Sequence, residues 1–274
     1  MSYKSILVHV DQSRHAAQRI RVAAEIARNQ QAHLIGSAMT GISSFIQMEG
    51  AAFVATHIDG FRDRALAALE VFDGIARSVG ALSHEKRFID DDVAGGLALQ
   101  ARYADLVVLS QNDLDQPDTA FIADLPEYVM LNAPRPVLIV PSAGLFEEVG
   151  RNALIAWDGS MQATRAVTAA LPLLRQADNV TVAIFNPDKR LGAHGEQPGA
   201  DIALYLARHG VKVEVAQERT DIDIGNAMLS LAADRGSDLL VMGGYGHTRF
   251  REVLLGGVTL TVLKTMTIPV LMTH

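Results

Sequence analysis

Two groups of glycines lie close together near the end of the chain: Gly243-Gly244-Tyr245-Gly246 and, after a nine-residue spacer, Gly256-Gly257-Val258. Glycine has no Cβ, so a loop built from it lets backbone N–H groups approach a bulky anion and takes positive φ where a turn requires it. The pattern G-x2-G-x9-G-G-V runs into a helical stretch, Thr259 to Met266, whose first N–H groups and positive dipole end suit phosphate. An acid, Asp158, follows a separate apolar run, Ala153 to Ala156. A carboxylate placed there can accept hydrogen bonds from ribose hydroxyls, as the acidic residue of dinucleotide folds does. Phosphate loop and ribose acid together describe a nucleotide site.

These groups need elements to hold them, and the chain supplies the same set twice. Ile6-Leu7-Val8-His9-Val10-Asp11-Gln12-Ser13 is answered 147 residues later by Ala153-Leu154-Ile155-Ala156-Trp157-Asp158-Gly159-Ser160. Ala104-Asp105-Leu106-Val107-Val108-Leu109 and Pro136-Val137-Leu138-Ile139 are answered 133 residues later by Ser237 to Met242 and Pro269 to Met272. The first half therefore carries 14 extra residues, which the features place between Gly41 and Gly60. Short runs rich in Val, Ile and Leu without strict alternation suit parallel strands buried on both faces. Helical periodicity lies between them, at Ser13–Arg28, Phe61–Val79, Gly96–Arg102, Ala163–Leu174, Asp201–Arg208 and Ile224–Asp234. Alternating strands and helices make each half an α/β layer structure with right-handed crossovers. Pro141, Gly144 and Gly150 bracket a polar linker, which puts the boundary at residue 146 and the domains at 1–146 and 147–274.

Composition limits the partners. The chain has 274 residues, 49% of them hydrophobic, enough apolar surface for two cores. A formal charge of −7 argues against a protein that grips nucleic acid or an anionic membrane. No apolar run is long enough to span a bilayer and no secretory segment opens the chain, so a cytoplasmic location is expected. With no cysteine, disulfides, thiolate metal sites and cysteine nucleophiles are excluded.

The segment Val241 to His274 resembles the closing segment of the universal stress protein family, whose ATP-binding members carry G-x2-G-x9-G-[S/T]-V between the fourth and fifth strands. The likeness covers essentially the whole chain as two copies. It implies two tandem Rossmann-like domains of the adenine nucleotide alpha hydrolase-like type, each a five-stranded parallel sheet with helices on both faces. It also implies ATP, AMP or ADP as the ligand, with magnesium as a possible companion. Ala156 and Phe185 would lie near the adenine and Asp158 on the ribose. Met242, Gly243, Gly246, Gly256, Gly257 and Val258 would surround the ribose and phosphates. Gly257 departs from the family, since it stands where a Ser or Thr hydroxyl bonds a phosphate oxygen. A hydrogen bond to a charged group contributes about 1.5–3 kcal/mol, so triphosphate affinity is expected to be lower. The family's manner of assembly implies an internal pseudo-dimer through the fifth strands and a homodimer of chains.

The first half lacks the glycine loop. The 133-residue offset sets Ser110, Asp113, Ala123 and Asp124 against Gly243, Gly246, Gly256 and Gly257, with Asp115 and Asp118 nearby. A carboxylate about 4 Å from a phosphate charge costs on the order of 4 kcal/mol at an effective dielectric near 20. This half, a degenerate copy, is expected not to bind ATP in the family's manner, although Asp11 persists. The extra segment around Phe45 to Phe53 reads as a packing loop or lid. Of the nine histidines none has zinc-type spacing to another ligand; His247 and His194 read as loop residues, and His15 as a capping or solvent-facing group. There is no P-loop, only part of a dinucleotide fingerprint at Gly244, Gly246 and Arg249, and no nucleophile-elbow triad; Ser160 reads as a helix N-cap. The expected function is nucleotide-dependent sensing in a stress response. The alternatives are a slow ATPase or a phosphoryl or nucleotidyl transferase at the same site, or a ligand-free scaffold.

Overall fold

The computed structural model describes residues 2–42, 51–113, 124–187, 197–245 and 257–274. The chain divides into two compact units, Ser2–Leu145 and Phe146–His274. In the first, the order is β1 (Ser5–Val10), α1 (Ala16–Gln30), β2 (His33–Met39), α2 (Ala51–Val79), β3 (Ser83–Ile89), α3 (Val93–Gln100), β4 (Leu106–Ser110), α4 (Leu125–Asn132) and β5 (Val137–Val140). The second repeats it with β6 (Asn152–Ala156), α5 (Met161–Leu174), β7 (Asn179–Phe185), α6 (Ala200–Arg208), β8 (Val213–Glu218), α7 (Ile224–Asp234), β9 (Leu239–Gly243), α8 (Val258–Thr265) and β10 (Val270–Thr273).

The strands of the first unit lie in the order β3-β2-β1-β4-β5 and those of the second in the order β8-β7-β6-β9-β10. Every neighbouring pair within a unit is parallel. Each unit is thus a five-stranded parallel sheet of Rossmann-like type. Successive residues of β1, β4, β5, β9 and β10 are buried alike, so these strands are covered on both faces, as their unbroken apolar runs require. The outer strands differ. β3, Ser-His-Glu-Lys-Arg-Phe-Ile, is partly or fully exposed at every position and carries the charges that protect a free sheet edge.

The helices match the periodic segments, with one large difference. Helix α2 begins at Ala51, ten residues before the apolar period announces it at Phe61. Gly60, the far bound of the extra segment, lies within this helix, and a Cβ there would meet nothing within 4 Å. Part of the extra segment is therefore helix rather than loop, while residues 43–50 lie outside the described residues. The packed part of α2 places Phe61, Ala65, Ala68, Leu69, Phe72 and Ala76 in the core at helical spacing. Helix α3 continues into a 3-10 turn at Ala101–Tyr103, and α4 had no periodic signal of its own.

A repeated aspartate ties the amino ends of the sheets. Asp105 accepts from the N–H groups of Lys4 and Ser5 at 2.7 and 3.1 Å. Asp238 does the same for Gly150, Arg151 and Asn152 at 2.7, 3.0 and 3.2 Å. Burial pushes the Asp238 carboxyl up, and these backbone donors pull against that shift.

Where α2 crosses β2, a Cβ on Gly36 would lie 2.6 Å from three ring atoms of Phe72, which is fully buried. Gly36→Ala is expected to destabilise the first unit by about 1–3 kcal/mol through overpacking. The measurement is the urea midpoint, and adding Phe72→Leu should recover part of the loss.

Candidate functional site

In a sheet ordered 3-2-1-4-5 the connections leave in opposite directions from the first and fourth strands, so a crevice opens between their carboxyl ends. That point lies between β1 and β4 in the first unit and between β6 and β9 in the second. In the second unit Ile155 is level with Val241 and Ala156 with Ala183. Counting on, Ala156 is level with Met242, while Asp158 lies two residues past the end of β6 and Phe185 is the last residue of β7. Five of the expected residues, Ala156, Asp158, Phe185, Met242 and Gly243, therefore come to the same end of three adjacent strands. The Trp157 N–H donates to the Ala183 carbonyl at 2.9 Å and extends the ladder past the end of β6. Asp158 then turns the chain: its Oδ1 accepts from the Ser160 N–H at 3.0 Å, and the Ser160 hydroxyl accepts from the Ala163 N–H at 3.1 Å. Ser160 is the N-cap of α5, as its type and place suggested.

Gly243 has a structural duty in addition. A Cβ on it would come within 2.6–2.7 Å of the Ala163 nitrogen and of Gln162, so only glycine lets the end of β9 pass the start of α5. From there the Gly244 N–H donates to the Thr273 carbonyl at 2.8 Å. Tyr245 has φ +52, and its N–H donates to the Thr259 hydroxyl at 3.1 Å. Thr259 is buried in the first turn of α8, so this bond brings the N-cap residue Gly257 and Val258 to the loop that leaves β9. Sequence spacing did not single out Thr259; its counterpart in the first half, Pro126, offers no hydroxyl. Gly246 and Gly256 lie outside the described residues, as do His194 and His247.

The first unit keeps the turn and changes everything around it. Asp11 Oδ1 accepts from the Ser13 N–H at 3.0 Å and from the Ser13 hydroxyl at 2.6 Å, matching Asp158 and Ser160. It also accepts from Nη2 of Arg19 at 2.9 Å. The Arg19 side chain is 2% exposed, and its Nε and Nη1 donate to the His9 carbonyl and the Ser110 hydroxyl, both at 2.8 Å. Asp113, expected as an obstructing charge, is not a bare one: Arg14 Nε donates to its Oδ2 at 2.7 Å, and His15 Nε2 lies 2.6 Å from the same oxygen. The expectation that His15 caps its helix or faces solvent is corrected, since it holds the N-cap position without a side-chain cap bond and turns its ring to Asp113. Asp124 begins α4 at φ +66, where Gly257 begins α8 at φ −40. Asp115, Asp118 and Ala123 lie outside the described residues.

Charge in the first crevice is set by burial and by these pairs. Burial holds the His9 imidazole down to about 4; Asp11 pulls it up and Arg19 pushes it down. Burial pushes the Asp11 carboxyl up, but Arg19, His9 and the Ser13 and Arg19 hydrogen bonds together outweigh it and hold the group well below the usual carboxylate range. Among the described residues no three His, Asp or Glu side chains gather as a metal site. No helix among them is long and apolar enough to cross a membrane.

A doubled five-stranded parallel sheet with an acid after the first strand defines the class as tandem Rossmann-like α/β. The sequence pattern of the universal stress protein family matches residues 2–141 and 150–274, and the chain belongs to that family. Universal stress protein Slr1230 of Synechocystis is 30% identical over 156 residues, 53% of this chain and 49% of its own. Universal stress protein MJ0577 of Methanocaldococcus jannaschii is 43% identical over 44 residues, 16% of this chain and 27% of its own. The matches thus span about half or less of the curated relatives' lengths. The crystal structure of a universal stress protein from Archaeoglobus fulgidus DSM 4304 superposes with TM-score 0.76 at 14% identity, over 98% of this chain and 96% of that one.

Two outcomes follow from this geometry. Gly243→Ala should destabilise the second unit by about 1–3 kcal/mol, seen as a lower denaturant midpoint without any ligand present. His9 has a folded pKa near 4 against an ordinary value of 6.5, so the unfolded chain binds the extra proton between these values. Stability linked to His9 is full above pH 6.5 and is lost as pH falls toward 4. Between pH 7 and pH 4.5 it should account for about 2 kcal/mol of lost stability. The check is the difference in urea midpoint between the two pH values, which His9→Asn should shrink.

Proposed function

We propose that the second unit binds an adenine nucleotide in the crevice between β6 and β9 and acts as a nucleotide-dependent sensor in a stress response. The observation that carries this reading is that Asp158 after β6 and Gly243 at the end of β9 lie at the same end of adjacent strands, with the start of α8 tied to the loop that leaves β9 by the Tyr245–Thr259 bond. Asp158 would receive the ribose hydroxyls, with Ala156 and Phe185 beside the base. Met242, Gly243, Gly257 and Val258, together with Gly246 and Gly256, would line the ribose and phosphates. The first turn of α8 would direct its N–H groups and positive dipole end at the phosphates. With Gly257 in place of a hydroxyl-bearing residue, one charge-assisted bond is missing, which favours a modest affinity for ATP and a smaller gap between ATP and AMP. The ligand-dependent state would be read by a partner at this end of the unit, in the cytoplasm.

The first unit, in this reading, does not bind the nucleotide and contributes structure. Mass spectrometry of small molecules released from freshly purified protein identifies the resident nucleotide. ADP accumulating during incubation with ATP would move the reading from sensor to slow ATPase.

Trp157, the only tryptophan, adjoins Asp158 and reports the crevice. Adding ATP is expected to change its fluorescence with saturation at one site per chain. Asp158→Asn keeps an oxygen for the Ser160 turn but removes the charge, and should weaken binding roughly 10- to 100-fold. A flat titration with a null calorimetric result would remove the nucleotide reading, and two sites per chain would show that the first unit binds as well.

A further inference from the structure

We propose that Asn186 is a positioning residue for the base of the ligand, fixing the main-chain edge of Phe185 that tells adenine from a 6-oxo purine. The inference rests on the reading that the second unit binds a nucleotide over Asp158. The strands lie in the order β7-β6-β9, so a ligand with its ribose at the end of β6 and its phosphates at the end of β9 carries its base over the end of β7. There the sheet ladder stops on one side before the other. The Asn186 N–H donates to the Glu218 carbonyl at 2.9 Å, so the main-chain groups of Asn186 face β8. Successive residues of a strand present these groups to alternate sides, so those of Phe185 face β6. The last bond from that side is the Trp157 N–H to the Ala183 carbonyl, and the turn at Asp158 then takes the chain out of the sheet. The N–H and C=O of Phe185 thus face the space over the end of β6, one step past the ladder.

That pair of groups has a polarity. Its N–H donates to the unprotonated N1 of adenine while its carbonyl accepts from the 6-amino group. Hypoxanthine and guanine carry N1–H and a 6-oxo oxygen, so donor would meet donor and acceptor would meet acceptor. Discrimination of this kind needs an edge ordered before the ligand arrives. Asn186 supplies the order. It has φ +50, which Asn adopts more readily than most residues, and it turns the chain directly after Phe185. Its side chain bonds both main-chain groups of Thr220, with Nδ2 donating to the carbonyl at 3.0 Å and Oδ1 accepting from the N–H at 3.1 Å. Together with the Glu218 bond, these tie the residue after Phe185 to the end of β8 and the segment that leaves it. The anchor is itself held, since the Thr220 hydroxyl accepts from the Ile222 N–H at 3.3 Å and Asp223 caps α7 through the Asn226 N–H. The first unit is built differently at this place, where Thr40 gives its N–H to the Ile89 carbonyl and its hydroxyl to the Asp90 side chain.

The test is calorimetric titration of the full chain with ATP and with ITP, which share ribose and phosphates and differ only at N1 and the 6-position. The parent protein should prefer ATP by about 100-fold, from two hydrogen bonds at about tenfold each. Asn186→Gly keeps the left-handed turn and removes the side-chain bonds, and the preference should fall to about tenfold or less through weaker ATP binding. Asn186→Asp sets an acceptor against the Thr220 carbonyl and should lower the preference in the same way; it carries the test if the glycine variant is unfolded by circular dichroism. A purely structural role would weaken both ligands equally and leave their ratio unchanged. An unchanged ratio in the folded variants therefore overturns the proposal, as does a parent that binds ATP and ITP alike. If neither variant folds, Asn186 is a requirement for folding and the positioning claim falls. A parent that binds neither ligand shows instead that the nucleotide reading has failed, and the proposal goes with it.

Discussion

A carboxylate at the end of the first strand governs the geometry of both units, because it must turn the chain out of the sheet and present an acid at the switch point in the same step. In Asp11 and Asp158 one oxygen accepts from the N–H two residues on, which starts the following helix beside the end of the fourth strand of its unit. That placement decides what the fourth strand can carry at its end. In the second unit the helix start passes so close to β9 that only a glycine fits at residue 243. In the first it leaves room for Ser110, whose hydroxyl accepts from Arg19. The local turn is shared, and the use made of the space beyond it is not.

The duplicated sheet thus carries two switch points with different side chains around the same turn. The first unit gathers charge there, which is stable in a buried place only when paired and hydrogen-bonded. The pairs in the first unit meet that condition, with Arg19 joined to Asp11, His9 and Ser110, and Asp113 joined to Arg14 and His15. His9 remains neutral in the same cluster because burial opposes its protonation more than Asp11 favours it. The second unit has small residues at the matching places, Ala156 for His9 and Ala166 for Arg19, and keeps the helix start of α8 tied to the loop by Thr259.

Much of this is legible in the amino-acid sequence. The offsets of 147 and 133 residues marked the duplication, and apolar runs without alternation marked strands buried on both faces. Ser160 read correctly as an N-cap. The misreadings have physical reasons of the same kind. The helix expected from Phe61 starts at Ala51 and runs through Gly60, whose cost of about 1 kcal/mol is easily carried by a helix of 29 residues. Strand β3 had no apolar run because an edge strand has little face to bury. His15 looked solvent-facing because its partner, Asp113, is 98 residues away.

The sequence by itself determined the repeat, the parallel α/β class and the residue types gathered at the second crevice, since periodicity and turn chemistry act over a few residues. Only the tertiary structure decided which side chains answer each other across the crevices. Arg19 stands 91 residues from Ser110, Tyr245 stands 14 from Thr259, and the room beside Gly243 depends on a helix that begins far upstream. Such contacts are set by where the strand ends come to rest against the helices, a distance that no local spacing encodes.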